Sequence, residues 1–150
     1  MRKLSITLLI LFLLFIPITS FAQYSGKSLT EVKNIMNGAL ELVGIKAKII
    51  RVVKNLNTEK VNFYAQMTTA KLSGEQEFIM TLAGVIAIVG DCTRQTSWAS
   101  DKLYFCHIKT NASIFWFSTK DCRRILKQAE AGASESKLSS EIMDAIHYLR

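Results

Sequence analysis

The sequence predicts an α+β fold: a four-stranded, mainly antiparallel sheet made from two hairpins and packed by about four helices, in the order α-ββ-α-ββ-α-α. Three observations carry this expectation. Segment 61–68 alternates apolar and polar residues with period two, the signature of a strand with one buried face. Segments 29–42 and 138–149 repeat apolar residues at three- and four-residue steps, the stripe of an amphipathic helix. Patterns of Ser followed three residues later by an acidic or amide residue mark helix starts at 28, 73 and 118.

Taken in order, residues 23–27 read as a short mobile leader, and Ser28-Leu29-Thr30-Glu31 opens the first helix. Its stripe is Leu29, Val32, Ile35, Met36, Ala39 and Leu42, and Gly44 supplies the left-handed residue that ends many helices. Segment 46–54 is rich in β-branched residues and is closed by Asn55-Leu56-Asn57-Thr58, so it pairs with 61–68 as a hairpin. Segment 78–89 is nearly all apolar. It is shorter than the roughly 20 residues that a membrane span requires, so a helix buried on most sides is expected. Val85 to Val89 fit a strand by propensity, but the capping pattern at 73–76 and the length favour the helix.

Segment 91–102 is polar and turn-like apart from Trp98, and a second hairpin follows, 103–109 and 112–118. Both faces of its second strand are apolar, Ile114 and Trp116 on one and Phe115 and Phe117 on the other, as in a central strand or one covered by a partner. Ser118 caps a third helix carrying Ile125, Leu126 and Ala129. Residues 131–136 form a small-residue linker, and Leu138, Ile142, Ala145, Ile146 and Leu149 form the stripe of a last helix.

The first 22 residues are read separately. Arg2 and Lys3 precede an apolar run over 4–18, Pro17 breaks it, and Ser20-Phe21-Ala22 offers small residues at the −3 and −1 positions of a cut before Gln23. This is the order of a cleavable secretory signal peptide, leaving one α+β domain over 23–150 and no transmembrane segment after cleavage. No Cys follows Ala22, so no lipid attachment site is expected. Arg2 and Lys3 leave with the signal, and the net charge falls from +7 to +5, a moderate excess that favours anionic surfaces. The expected location is the periplasm, or alternatively the extracellular space, which excludes nucleic acid as a partner.

Three cysteines, Cys92, Cys106 and Cys122, enter an oxidising compartment, where one disulfide is expected with one thiol left over. With Ser118 opposite Leu103, all three would meet near one edge of the sheet. Cys92–Cys106 is the first choice and Cys92–Cys122 the second, against the alternative of three buried thiols acting as small apolar side chains. Cys122 has a sharper reading as a reactive thiol, because a helix N-terminus and Arg123 and Arg124 lower a thiol's pKa, although Asp121 is adjacent.

No other residue set points to catalysis. His107 and His147 are the only histidines, and neither has a ligand partner at metal-binding spacing. Gly-x-Ser-x-Gly and the glycine-rich phosphate loops are absent, so no catalytic residue, metal or cofactor is assigned. Lys46, Lys48 and Lys54 share a strand face by parity, with Arg51 opposite. They form a patch for an anionic partner or a device against edge pairing. Trp98, Phe115, Trp116 and Phe117 are the candidate partner-binding residues, with the core as their alternative place.

The function these features imply is that of a small exported, non-enzymatic binding domain, recognising a macromolecular partner or a small apolar ligand of the cell envelope. The alternatives are a small hydrolase or thiol enzyme around Cys122, and a basic protein held to anionic envelope polymers.

Overall fold

A computed structural model describes residues 24–69 and 74–149. The segment read as a signal peptide lies outside the described residues, as does Ser73 of the expected cap at 73–76. The described chain is α+β, with four helices and a five-stranded mixed sheet. Its elements are α1 (Leu29–Leu42), β1 (Ala47–Lys54), β2 (Val61–Met67), α2 (Glu75–Gln95), β3 (Ser100–Cys106), β4 (Ser113–Ser118), α3 (Thr119–Glu130), α4 (Glu135–Asp144) and β5 (His147–Tyr148).

The strands lie in sequence order across the sheet. Both expected hairpins form, β1 with β2 and β3 with β4, and β5 adds antiparallel to β4. The sheet is mixed because β2 and β3 run parallel. Parallel neighbours cannot be joined by a tight turn and need a crossover, and α2 supplies the dozen or more residues this takes.

The helix termini follow local chemistry. Ser28 Oγ accepts from Glu31 N–H at 3.2 Å and Ser118 Oγ from Asp121 N–H at 3.0 Å, each satisfying a donor that the first helical turn leaves unpaired. At the end of α1, Gly44 takes φ +74°, with Gly44 N–H bonded to the Glu41 carbonyl and Ile45 N–H to that of Leu40. This is a Schellman closure, and it delivers Ile45 against Gly84 of α2, where a Cβ would stand 2.7 Å from Ile45 Cδ1.

Four sequence expectations are corrected here. The leader is not loose, because Tyr24 is 0% exposed and belongs to the core. Helix α2 does not stop at 89. Its polar end stays helical because Asp91, itself buried, accepts from Arg94 and Gln95 three and four residues on. The last helix ends at Asp144, and His147–Tyr148 form β5 instead of a final turn. Leu42, expected on the α1 stripe, is exposed, and Leu40 is buried in its place.

All four helices turn their buried residues onto one face of the sheet. Met36, Leu82, Ile86, Ile125 and Leu138 join Ile49, Phe63, Phe105 and Phe117 in a single cluster. Helix α2 is long and apolar enough to cross a membrane by length and composition, yet 78% of its apolar window is buried within the protein. It is the central helix of the core.

At the outer edge of β1, the Asn37 side chain of α1 accepts from Ile49 N–H at 2.7 Å and donates to the Ile49 carbonyl at 2.9 Å. One amide thus occupies both backbone groups that an edge strand leaves open. A bulge follows at once, between Ile49 and Arg51.

Candidate functional site

That bulge rearranges the basic strand. By parity alone, Lys46, Lys48 and Lys54 share a face and Arg51 opposes them. The extra residue restarts the alternation, so Arg51 pairs with Tyr64 while Lys54 pairs with the core residue Val61. Lys48, paired with Gln66, and Arg51 therefore lie on the sheet face turned away from the helices, and Lys54 leaves it. Lys46 stands just before β1, where its Nζ meets a Glu77 carboxylate oxygen at 2.6 Å. The expected three-lysine patch does not exist as a unit.

In its place the sheet builds a row that crosses all five strands. Arg51 pairs with Tyr64, Tyr64 with Tyr104, Tyr104 with Trp116 and Trp116 with His147. At about 4.8 Å per strand the row spans about 19 Å. Arg51 and His147 are exposed, and Tyr64, Tyr104 and Trp116 are partly so.

Two segments of the row also stack. The Arg51 guanidinium lies 4.2 Å from the Tyr64 ring centre. Tyr64 and Tyr104 stack at 4.9 Å with their planes 17° apart, and Trp116 and His147 at 4.1 Å and 16°. Lys102 Nζ lies 4.6 Å from the Trp116 ring centre, on the side facing β3. Centroid separations this close to the strand spacing, between nearly parallel rings, mean that each ring turns a face toward the next strand and an edge outward. Cations on ring faces contribute about 0.5–1 kcal/mol each at such exposed sites. Burial, and secondarily Asp101, hold the Tyr104 hydroxyl above its ordinary pKa, so it remains a donor.

The aromatic candidates divide between layers. Phe115 and Phe117 are core residues, not contact residues. Phe115 stacks on Phe105 at 5.0 Å and meets Phe117 edge-on at 6.1 Å. Trp116 is the one residue of that strand trio on the open face. Strand β4 is apolar on both sides because one side packs under the helices and the other carries the row.

Trp98 lies elsewhere, half-buried against the core and lining an open cleft of about 550 Å³ with Lys27, Leu29, Lys54 and Val61. The sequence-level reading missed Arg51, Tyr64, Tyr104, Lys102 and His147 as members of one site. The alternation of β2 places Tyr64 on the wet face and that of β3 sets Tyr104 opposite Leu103 and Phe105, but nothing local in sequence joins them into one row.

The thiols correct another expectation. Cys92, Cys106 and Cys122 are all free and buried, and no disulfide joins them. Cys106 cannot reach the others. Strand β3 begins at Ser100, close after α2, and by Cys106 it has run about 20 Å further at 3.3 Å per residue. Cys106 pairs with Gln66 on the face away from the helices, and its Sγ lies 3.8 Å from Ser113 Oγ.

Cys122 is fully buried, and desolvation, with Asp121 adding to it, pushes its thiol well above the ordinary value. The helix terminus and Arg123 pull the other way and lose. Arg124 is occupied by Asp121 and Glu141, and Arg123 donates to Ser100 Oγ. A maleimide or iodoacetamide probe should therefore leave Cys92 and Cys122 unlabelled in the native protein and label all three cysteines in guanidinium. Rapid native labelling at Cys122, read by mass spectrometry, would restore the thiol-enzyme reading.

Among the described residues, no group of three or more His, Cys, Asp or Glu side chains converges for a metal. His107 sits in the β3–β4 turn, its Nδ1 accepting from Lys109 N–H at 3.1 Å. Compared with known proteins, the chain gives no significant match to any protein-family model, curated protein or solved structure.

Proposed function

We propose that this chain is an exported binding domain that recognises a macromolecular partner through the open face of its sheet, in the periplasm or, alternatively, outside the cell. The observation that carries the proposal is the row Arg51, Tyr64, Tyr104, Trp116 and His147, aligned across five strands on the face that the helices do not use. Arg, Tyr and Trp are the residue types that concentrate binding energy at protein contacts. Here they are held on strands, with rotamers restrained by their neighbours, so little ordering entropy remains to be lost on binding. The export pattern of residues 1–22 supports the location.

The test is capture of envelope components by the exported chain. Trp116→Ala and Tyr64→Ala are expected to lower capture by about tenfold or more, since a central aromatic contact contributes about 2 kcal/mol or more. Leu56→Ala, at the exposed tip of the β1–β2 turn, should leave it unchanged. Far-ultraviolet circular dichroism establishes that each variant is folded. Equal capture by Trp116→Ala and the wild type would remove the sheet face from consideration.

A further inference from the structure

We infer that the partner of the open sheet face is a protein presenting carboxylates around an apolar centre, an inference that rests on the binding reading above. Tyr64 has Arg51 over one face and Tyr104 over the other, and Trp116 has Lys102 over one face and His147 over the other. A flat ligand such as a nucleobase or a sugar ring needs a free aromatic face to stack on, and those of Tyr64 and Trp116 are occupied. What the row offers outward is ring edges, which carry the positive end of the aromatic quadrupole, together with the phenolic hydroxyls.

The charges agree. Arg51 at the β1 end and Lys102 on β3 stand within the stack, and Lys48 lies one row along on the same face. Positive edges and cations together favour an anionic ligand. The guanidinium of Arg51 is also a planar fork suited to bidentate contact with a carboxylate. Asp101, next to Lys102 and acting on Tyr104, is the acidic group that opposes this field.

The hydrocarbon ring edges, those of Tyr64 and Tyr104 between Arg51 and Lys102 and that of Trp116 beyond Lys102, decide between anion classes. A polyphosphate or a lipid head group would satisfy the cations and leave these edges in water. A protein surface with apolar side chains flanked by Asp or Glu covers both, which is the usual anatomy of a contact with an apolar centre and a charged rim.

The experiment titrates the chain, purified after export, with three probes and follows the fluorescence of its tryptophans. The probes are a random copolymer of glutamate and tyrosine, inorganic polyphosphate, and phosphatidylglycerol vesicles. The copolymer should bind, weaken as salt rises, and compete with envelope capture. The double variant Arg51→Gln, Lys102→Gln should lower its affinity by about tenfold. Lys120→Gln, Lys127→Gln, the same loss of charge on exposed positions of α3, should leave it within about twofold.

Tighter binding of polyphosphate or of the vesicles, lost in the same Arg51/Lys102 variant, would overturn the protein assignment in favour of a phosphate-bearing partner. No binding of the copolymer, or binding indifferent to Arg51 and Lys102, would overturn it outright. Neither result touches the dependence of envelope capture on Trp116, so the binding reading stands or falls by its own measurement.

Discussion

Tyr24→Ala is expected to lower stability by about 3–5 kcal/mol, the cost of deleting a fully buried aromatic side chain. Tyr24 precedes every described helix and strand, yet it is 0% exposed and ties the first described residues to the end of α2, near Asp91 and Cys92. Its hydroxyl is buried without a hydrogen-bond partner among the described residues. Tyr24→Phe removes that orphan donor and keeps the ring, so it should match the wild type or exceed it by about 1 kcal/mol.

The pair also separates by pH. Burial, then Cys92 and Asp91, raise the Tyr24 pKa far above its ordinary 10.0 in the folded chain. The folded state therefore holds a proton that the unfolded state releases above pH 10, and stability falls as pH rises past that point. The loss attributable to Tyr24 approaches about 1.4 kcal/mol per pH unit and is absent in Tyr24→Phe. Guanidinium unfolding of the three chains at pH 7 and above pH 10 measures both effects. A Tyr24→Ala chain as stable as the wild type would show that residues 24–27 are not anchored.

Much of this architecture was legible because it rests on local rules. The cap serines Ser28 and Ser118 announced their helices, and the period-two alternation of 61–67 gave the faces of β2 correctly. The apolar run after Gly74 gave a buried helix. What escaped depends on contacts remote in sequence. The bulge at Ile50 is fixed where Asn37, 12 residues before Ile49, occupies the β1 edge, and it alone moves Arg51 onto the open face. The parallel β2–β3 pairing joins strands across a 21-residue helix, and no residue pattern records it.

The candidate site was therefore legible only in fragments. Sequence marks Trp116, but it marks Phe115 and Phe117 equally, because both faces of a central strand look alike in sequence. Arg51, Tyr64, Tyr104, Lys102 and His147 come from different elements, and only the register aligns them. The disulfide expectation failed for the same reason. It assumed that cysteines near in topology are near in space, while a strand's length separates Cys106 from the helix end.

Gly90→Ala is expected to lower stability by about 2–3 kcal/mol, although alanine is the better helix former and the change adds one methyl group. The reason lies in what faces it. A Cβ at Gly90 would stand 2.8 Å from the Cys122 carbonyl oxygen and 3.1 Å from its carbon, both backbone atoms of α3. Backbone cannot rotate aside, so α2 and α3 must separate, and the cluster around Cys92, Cys122, Ile125 and Leu126 loses its close contacts.

Gly84 provides the contrast within the same helix. The atoms nearest a Cβ there are side-chain carbons of Ile45, at 2.7 and 2.8 Å, which another rotamer can move. Gly84→Ala should cost about 1 kcal/mol, and adding Ile45→Val, which removes the closest carbon, should recover part of it. Gly90→Ala has no such partner to trim, so trimming Ile45 should leave its loss unchanged. Denaturant midpoints of the four variants decide the matter. If Gly90→Ala unfolds with the wild type, α2 and α3 do not approach through a backbone contact, and the helix layer behind the open sheet is looser than described.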